Sequence, residues 1–395
     1  MFDLPSQRSC RLSGEPLDQA PVLLNVLNCP LPGIYPLSVK ESLPMRSPLR
    51  VVQAPGSGLV QLAHHFDSSM YEDYGFAADT SQGYRAHVGW FARALHAGLE
   101  PADSVLEVGC GDGMLLDLLQ SLGHEHVIGI DPGRAAAAQG SSNIVCGYFP
   151  DGLPIEARMR RHERIVARHV LEHIEEPRKF IADLGACLAD DGELWIEVPD
   201  LDATLAIGRW SNFYQLHCNY FNADTLDRLA ATAGLGCVGG KVVDVFGGSL
   251  LRRYRRGSNL ASSGVKSVAG AAKGFASFQD SLRRLAAVLP PRSVGYGAAE
   301  RTALTLGACP LLEDRICALH DGNALLHGRR LAGTALEIRP SAELYDTGAE
   351  AVVLFAVSHR EEILGEWRRR LSPSTLIAVT DGQCCLRALG DAGAR

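Results

Sequence analysis

Several features that would assign the chain to a specialised class of protein are missing from its sequence. Acidic residues outnumber basic ones by 45 to 38, and the resulting net charge of −7 gives no general attraction to nucleic acid. No apolar run approaches the roughly 18 residues that span a membrane. Residues 1–8 lack the basic start and apolar core of a secretory signal. We therefore expect a protein that binds neither nucleic acid nor membrane.

Paired cysteines are missing too. The chain has 11 cysteines, an odd number, and apart from the adjacent Cys384 and Cys385 they are scattered without paired spacing. Such a set forms no disulfide framework and favours a reducing compartment, so we expect a cytoplasmic protein. What remains is the composition of an ordinary globular protein, 46% hydrophobic and 21% charged, and 395 residues suffice for two or three domains.

The densest signal in the sequence lies at residues 104–113. Residues 105–108 read as a short buried strand, Gly109, Gly111 and Gly113 follow at once, and the leucine spacing after Met114 predicts a helix. A strand, a glycine loop and a helix in this order begin a doubly wound α/β sheet. The loop and the helix N-terminus are where such a sheet binds its ligand.

The next predicted strand ends on Asp131, which follows Gly111 by 131 − 111 = 20 residues. That separation suits a carboxylate on the ribose of a nucleotide, so NAD(P) is one possible ligand. The glycines, however, are spaced G-x-G-x-G, and Glu107 precedes the first of them by two residues. This pattern resembles the class I S-adenosylmethionine (SAM) methyltransferases, and SAM is the cofactor that we favour.

The resemblance implies a fold and a set of cofactor contacts. The fold class is α/β, with a class I SAM methyltransferase Rossmann-like domain, a small, mostly β N-terminal module and a second α/β domain at the C-terminus. We place these three parts at residues 1–75, 76–245 and 246–395, and expect the C-terminal part to bind substrate. The residues expected at the cofactor are Glu107, Gly109, Gly111, Asp131, Pro132, Tyr148, Phe149 and Arg168.

A narrower resemblance begins in the N-terminal module. Residues 58–62, Gly-Leu-Val-Gln-Leu, match a string in the sugar C-methyltransferases, which act on nucleotide-linked keto sugars. That family holds zinc there on two Cys-x-x-Cys pairs. Cys10 remains in this chain, but Ser13, Ala54 and Ser57 occupy the other three positions. One thiolate cannot build a four-coordinate zinc site, so we expect no metal.

The same family resemblance is sharpest at residues 210–221. The family carries Tyr-His-Glu-His, two further residues and then Tyr-Phe, and this match places its base on His217 and its tyrosine on Tyr214. His173 then corresponds to the second active-site histidine. Leu216 replaces the glutamate of the family pattern, and Glu172 is a candidate to supply the missing carboxylate. The tyrosines and hydroxyls of residues 66–76, including Tyr71, Tyr74 and Phe76, either cover the substrate nucleotide or pack between domains.

These residues predict an enzyme that transfers a methyl group from SAM to carbon. A carbon nucleophile needs a proton removed beside a carbonyl, and histidine titrates near working pH. We expect His217 to take that proton from a dTDP-type 4-keto deoxy sugar of natural-product biosynthesis. Tyr214 and His173 would steady the enolate oxygen.

Two other functions stay open at this point. An O- or N-methyltransferase acting on another small acceptor would also fit the cofactor motif, and the residues Gln215 and Leu216 favour it. A non-catalytic scaffold is the remaining alternative, and the intact glycine loop and Asp131 argue against it. The sequence leaves monomer and homodimer as equal expectations.

Overall fold

The computed structural model describes residues 6–65, 82–133, 143–245, 247–257, 264–380, 382 and 384–391. Tyr71, Tyr74 and Phe76 lie outside the described residues. The strands are β1 (Val22–Pro30), β2 (Arg46–Gln53), β3 (Val60–Leu62), β4 (Ser104–Val108), β5 (His126–Asp131), β6 (Ile144–Cys146), β7 (His162–Arg168), β8 (Leu188–Pro199), β9 (Asn219–Tyr220), β10 (Leu235–Val243), β11 (Ser249–Arg256), β12 (Ser293–Tyr296), β13 (Ile316–Asp321), β14 (Ile338–Pro340), β15 (Ala351–Leu354), β16 (Leu376–Val379) and β17 (Leu386–Ala388).

The helices of the described residues vary from one turn to five. They are α1 (Val39–Ser42), α2 (Gln82–His96), α3 (Met114–Ser121), α4 (Ile155–Met159), α5 (Pro177–Cys187), α6 (Leu201–Ala206), α7 (Ala223–Ala231), α8 (Ala271–Val288), α9 (Glu300–Ala308), α10 (Pro310–Glu313) and α11 (Arg360–Arg370). Short 3₁₀ turns lie between several of them, two of which, Leu171–His173 and Trp210–Asn212, flank the site described below. None of these helices has the length and apolar character needed to cross a membrane.

Three sheets organise the described residues. A four-stranded antiparallel sheet has the order β1-β2-β3-β9, and a seven-stranded sheet has the order β10-β11-β8-β7-β4-β5-β6. The third sheet, β14-β13-β12-β15-β16-β17, is parallel except at β17. The predicted fold class is therefore confirmed: along the chain, a Rossmann-like sheet follows a small β module and precedes a second α/β domain.

The seven-stranded sheet is parallel through β8, β7, β4, β5 and β6, while β11 and β10 run antiparallel. Its β4 strand is buried along its whole length, as expected for a central parallel strand covered by helices on both faces. The sheet extends to Arg256, past the domain boundary predicted at residue 246. That boundary was set by the resemblance of residues 246–254 to a family strand, and the resemblance does not say that β11 turns back to pair with β8.

The N-terminal sheet and the C-terminal domain share one hydrophobic core. Leu24 and Leu49 of the first sheet, Phe278 of α8 and Leu304 of α9 are fully or almost fully buried in it. Trp210 and Phe213, from the chain between β8 and α7, belong to the same core. That connecting segment is therefore fixed by contacts with the outer parts of the molecule as well as with the methyltransferase sheet.

Two loops of the N-terminal module meet where the resembled family binds zinc. Cys10 Sγ lies 3.1 Å from Ser57 Oγ. The Glu15 carboxylate accepts hydrogen bonds from the backbone N–H groups of Gly56 and Ser57, each at 2.8 Å, and from Ser13 Oγ at 2.9 Å. Glu15 thus joins the two loops through hydrogen bonds. The sequence did not indicate this contact, because 41 residues separate Glu15 from Gly56.

Replacement of Glu15 by alanine should lower the free energy of unfolding by about 1 kcal/mol, since solvent partly screens this carboxylate. The hydrogen bonds lower the pKa of Glu15 against the opposing effect of burial. This stabilisation is therefore complete above pH 4.5 and is lost as pH falls through the lower pKa of the folded state. Urea unfolding at pH 7 and pH 3 measures both effects. Exposed Glu41 of α1 is the control, and an equal loss in Glu41→Ala would contradict the role given to Glu15.

Candidate active site

The glycine loop joins β4 to α3 with a backbone that side chains rarely adopt. The φ angles of Gly109, Gly111 and Gly113 are 77°, 55° and 82°. A Cβ atom added to Gly109 would lie 2.1 Å from Cγ2 of Val170. Glycine is therefore required at position 109, both by conformation and by the close approach of the loop after β7. The result is an open turn of backbone at the carboxyl edge of the sheet, where such sheets bind their ligands.

Asp131, at the end of β5, lies against this loop. Its Oδ2 accepts a hydrogen bond from Gly111 N at 2.9 Å and its Oδ1 accepts one from Gly133 N at 2.7 Å. Both bonds lie on the protein side, and the carboxylate remains partly exposed. Its position beside the glycine loop is the one that the spacing predicted. The remaining lone pairs of its two oxygens are free to accept hydrogen bonds from ribose hydroxyls.

Glu107 and Arg168 form an ion pair across the ends of the neighbouring strands β4 and β7. Oε1 of Glu107 accepts hydrogen bonds from Arg168 at 2.9 Å from Nη2 and 3.3 Å from Nε. Burial raises the pKa of Glu107 and Arg168 opposes that rise. The guanidinium of Arg168 keeps its proton near neutral pH, and its charge favours the ionised form of Glu107.

The second carboxylate oxygen of Glu107, Oε2, is buried and has no hydrogen-bond partner within the described ranges. A buried acceptor in this state is uncommon and indicates a missing donor. The amino group of SAM is such a donor. The glycine turn, Asp131 and this oxygen therefore fit the cofactor that the sequence predicted.

The residues predicted near adenine differ in their surroundings. Phe149 packs edge-to-face on Phe180 of α5, with ring centroids 5.7 Å apart, whereas Tyr148 is 46% exposed. Pro132 is partly exposed beside Asp131. Contacts of Pro132, Tyr148 and Phe149 with the cofactor stay predictions.

Replacement of Asp131 by alanine should weaken SAM binding about 10- to 100-fold, because hydrogen bonds to a charged group contribute about 1.5–3 kcal/mol. Isothermal titration of SAM into the purified protein measures the change. Asp117→Ala, on the exposed face of α3, should bind SAM with the affinity of the unmodified enzyme. Unchanged SAM affinity in Asp131→Ala would contradict the assignment of this carboxylate.

The second half of the site consists of the predicted catalytic residues, which the structure brings together. Tyr214 Oη and His217 Nε2 are joined by a hydrogen bond of 2.7 Å. The rings of His173 and His217 have centroids 4.8 Å apart and stand nearly perpendicular. His173 follows Arg168 by five residues in the loop after β7, so this cluster adjoins the cofactor side of the site.

Backbone contacts hold the ring of His173 and the loop that carries His217. His173 Nδ1 donates to the Leu216 carbonyl at 2.8 Å, which fixes its proton on that nitrogen. Tyr220 Oη donates to the Tyr214 carbonyl at 3.1 Å and accepts from Tyr214 N at 3.2 Å. Tyr220 belongs to β9, which pairs with β3 of the N-terminal module. The loop that carries His217 is therefore held from the N-terminal module and from the loop after β7.

Burial decides the protonation of this cluster. It lowers the pKa of His217 well below 6.5, and the positive charges of His169 and Arg301 act in the same direction. It also raises the pKa of Tyr214 well above 10. At neutral pH His217 is therefore an unprotonated base and Tyr214 a neutral phenol. Arg301 comes from the start of α9, so the C-terminal domain contributes charge to the site.

Leu216, which replaces a glutamate of the family pattern, is buried in an apolar cluster with Leu31 and Ala332. Its side chain thus contacts the N-terminal module and the C-terminal domain. A carboxylate at this position would lie in an apolar environment without compensation, so the substitution to leucine agrees with the local packing.

Sequence reasoning missed a chain of buried charges beside the cluster. His169, which has a φ of 54°, lies with Nδ1 3.4 Å from Glu172 and Nε2 3.8 Å from Glu197. Burial opposes its protonation, but the two carboxylates raise its pKa to about 9. Glu197 also bonds His87 Nε2 at 2.9 Å. A glutamate inside the apolar strand β8 was the one sequence signal of this network.

Glu172, His173 and His217 also form the one group of potential metal ligands found in the described ranges, with ligand atoms all within 4.8 Å of one another. The contacts already given occupy Nδ1 of His173 and Nε2 of His217. A metal ion at this position would therefore have to displace existing hydrogen bonds or use the remaining ring nitrogens.

Sequence comparisons match this chain to known methyltransferases. A family model described as "Methyltransferase domain" matches residues 82–238, and one described as "C-methyltransferase C-terminal domain" matches residues 277–374. The C-methyltransferase NovU of Streptomyces niveus is 26% identical over 293 residues, which cover 68% of this chain and 69% of NovU. A tRNA U34 carboxymethyltransferase of Idiomarina loihiensis is 27% identical over 150 residues, 36% of this chain and 46% of that protein.

Solved structures give weaker matches. Magnesium protoporphyrin IX methyltransferase of Synechocystis, with bound S-adenosylhomocysteine, has a TM-score of 0.36 and 16% identity, covering 49% of this chain and 89% of that chain. The two family models and NovU confirm the predicted enzyme class and cofactor. The chain is therefore an S-adenosylmethionine-dependent methyltransferase, and it is related to the C-methyltransferases.

Proposed function

We propose that this enzyme methylates a carbon atom of a nucleotide-linked 4-keto deoxy sugar, with thymidine diphosphate as the nucleotide. The observation that carries the proposal is the buried pair of Tyr214 and His217, bonded at 2.7 Å. A base whose pKa is lowered and a phenol that keeps its proton are the two groups that enolate formation requires. The similarity to NovU, a C-methyltransferase, supports the same reaction class.

SAM supplies an electrophilic methyl group when it is bound. The residues of this chain prepare the carbon that receives it. His217 Nε2 takes the proton from the carbon next to the C4 ketone, and the electron pair of that C–H bond moves into the enolate. Tyr214 Oη turns from His217 to the enolate oxygen and donates its hydrogen bond there. Glu107, the glycine loop and Asp131 hold the cofactor in line with the carbon.

The role of His173 is narrower than the sequence implied. Its Nδ1 proton is donated to the Leu216 carbonyl, and burial lowers its pKa. The neutral ring therefore offers only a lone pair at Nε2. It can donate to the enolate oxygen only when it carries a second proton, so Tyr214 is the donor at neutral pH.

The second candidate is methylation of oxygen or nitrogen on another small acceptor. The buried, apolar surroundings of Leu216 favour it, because the carboxylate of the sugar C-methyltransferases is absent from that position. In that reaction His217 would remove a proton from a hydroxyl or an ammonium group, and no ketone would be required.

Mass spectrometry in heavy water separates the two candidates. The enzyme is incubated with SAM and thymidine-diphospho-4-keto-6-deoxy sugars, and the product is fragmented to locate the methyl group. A methyl group on carbon supports the proposal. Deuterium uptake beside the ketone without methylation supports His217 as the base and indicates that the natural substrate is a different sugar. If neither signal appears while SAM is bound, the enzyme is instead assigned as an O- or N-methyltransferase.

A further inference from the structure

A small internal cavity adjoins His217 between the loop after β7 and the segment after β8. Its volume is about 10 Å³, the room that one water molecule needs. Its lining includes the side chains of Glu172, Asn212, His217 and Asn219. All four are at most 6% exposed.

Each of these four residues has one buried polar atom that lacks a hydrogen-bond partner in the part of the chain that the structure describes. These atoms are Glu172 Oε2, Asn212 Oδ1, Asn219 Oδ1 and His217 Nδ1. The backbone of Asn212 lies near the His217 ring without reaching hydrogen-bond geometry. One unpartnered buried polar group costs about 1–3 kcal/mol, so four around one cavity indicate a small polar occupant.

We propose that one water molecule occupies this cavity and links Glu172 to His217, so that Glu172 acts as a positioning residue for the base. The water accepts a hydrogen bond from Nδ1–H of His217. It donates to Glu172 Oε2 and to the oxygen of one of the two asparagines. The lone pair of His217 is then on Nε2, where proton abstraction needs it. This part of the inference rests on the proposed function.

The distances fit such a bridge. A carboxylate oxygen of Glu172 and a ring nitrogen of His217 lie within 4.8 Å of each other. Two hydrogen bonds of ~2.8 Å that meet at a water molecule span about 4.8 Å. Glu172 Oε2 and His217 Nδ1 make no direct hydrogen bond to each other, so an intervening atom is needed to link them.

Counting donors and acceptors selects the tautomer. The three oxygens around the cavity, one from the Glu172 carboxylate and two from asparagine side chains, are acceptors, and Nδ1 of His169 lies 3.4 Å from the same carboxylate. If His217 carried its proton on Nε2, Nδ1 would be a fourth acceptor, and a water molecule has only two hydrogens. With the proton on Nδ1 the water makes three good hydrogen bonds, and Nε2 accepts from Tyr214 Oη. Glu172 thereby performs, through water, the orienting task of the glutamate that Leu216 replaces.

Nitrogen-15 NMR of the full-length protein, labelled at histidine and treated with EDTA, tests the proposal without substrate. His217→Gln identifies the His217 signals. We expect the unmodified protein to show Nδ1 protonated and Nε2 unprotonated at pH 7. Glu172→Gln should show a mixture of tautomers. Glu193→Gln, a change at an equally buried glutamate that binds Arg255 and Trp195 instead, should leave the His217 tautomer unchanged.

The rate of methyl transfer, compared with the affinity for SAM, gives a second measurement that would not change if Glu172 only stabilised the fold. Glu172→Gln should slow methyl transfer on the order of 10²-fold, while the dissociation constant for SAM stays the same. Failure of all keto sugars as substrates would overturn the proposed function but would leave the NMR result intact. An Nε2-protonated His217 in the unmodified protein, or an unchanged tautomer in Glu172→Gln, would overturn the water bridge.

A crystal structure of the unmodified enzyme keeps the test independent of how the variants fold. At about 1.5 Å resolution we expect density for one water within ~3.2 Å of both Glu172 Oε2 and His217 Nδ1. An empty cavity overturns the proposal. A metal ion in the cavity would overturn the water bridge and identify a metal site. A change in the His217 signals when divalent ions are restored after EDTA would have the same meaning.

Discussion

Replacement of His217 by alanine should slow methyl transfer about 10²- to 10⁴-fold while SAM binding persists, because a positioned general base contributes a rate factor of that size. The side chain is buried and bonded to Tyr214 at 2.7 Å, and its ring contacts those of Tyr214 and His173. Single-turnover assays with saturating SAM measure the chemical step, and calorimetry measures the affinity for the cofactor. His126→Ala, at an exposed position where β5 begins, is the matched control and should retain full activity.

The pH dependence adds a separate check on His217. Because its pKa lies well below 6.5, the unprotonated base is present throughout the neutral range. The rate of proton exchange beside the ketone should therefore stay level from about pH 8 down to pH 6.5 and fall only below it. An acid limb centred above pH 7, or full activity in His217→Ala, would assign the proton transfer to another group.

Replacement of Arg168 by methionine should destabilise the enzyme by about 3–5 kcal/mol, the usual cost of leaving one member of a buried ion pair alone. Glu107 is completely buried and its ionised form depends on Arg168. The side chain of Arg168 also stacks its guanidinium over Phe91 at 5.2 Å, a contact that methionine replaces only in part. Urea unfolding at neutral pH measures the loss.

Two further variants separate the charge effect from packing. Glu107→Gln combined with Arg168→Met removes both charges and should recover much of the stability lost by the single change, although SAM binding should remain weak. Arg292→Met breaks the exposed pair with Glu350 and should cost less than about 1 kcal/mol. Equal losses in Arg168→Met and Arg292→Met would contradict the burial argument.

The cofactor half of the site could be predicted from sequence because its signals are local. Glycine is required where φ is positive, and the distance from Gly111 to Asp131 is set by one strand, one helix and the next strand. The pairing of Tyr214 with His217 is local as well, since the two residues are three apart. Their resemblance to a family motif was sufficient to predict that the two side chains lie in one site.

Other contacts depend on pairings that no local pattern specifies. His87 and Glu197 are 110 residues apart and meet only because α2 covers the face of the sheet that Glu197 reaches. Glu15 meets Gly56 through the folding of the N-terminal module. The return of β11 to β8 likewise depends on the whole sheet, and the boundary drawn at residue 246 from the family resemblance lies before it.

The two-residue strand β9 has a consequence for the inheritance and engineering of this enzyme. Tyr220 pairs with Val60 and Asn219 with Gln61, so a strand that begins five residues after Tyr214 completes the sheet of β1, β2 and β3. In a hybrid enzyme whose N-terminal module came from a relative, β3 and β9 would come from different proteins. Their pairing, close to His217, would then be disturbed. Crossovers between related genes should therefore survive only when residues 6–65 travel together with the segment that contains Tyr214 and His217. The N-terminal sheet and the position of His217 are then inherited as one unit.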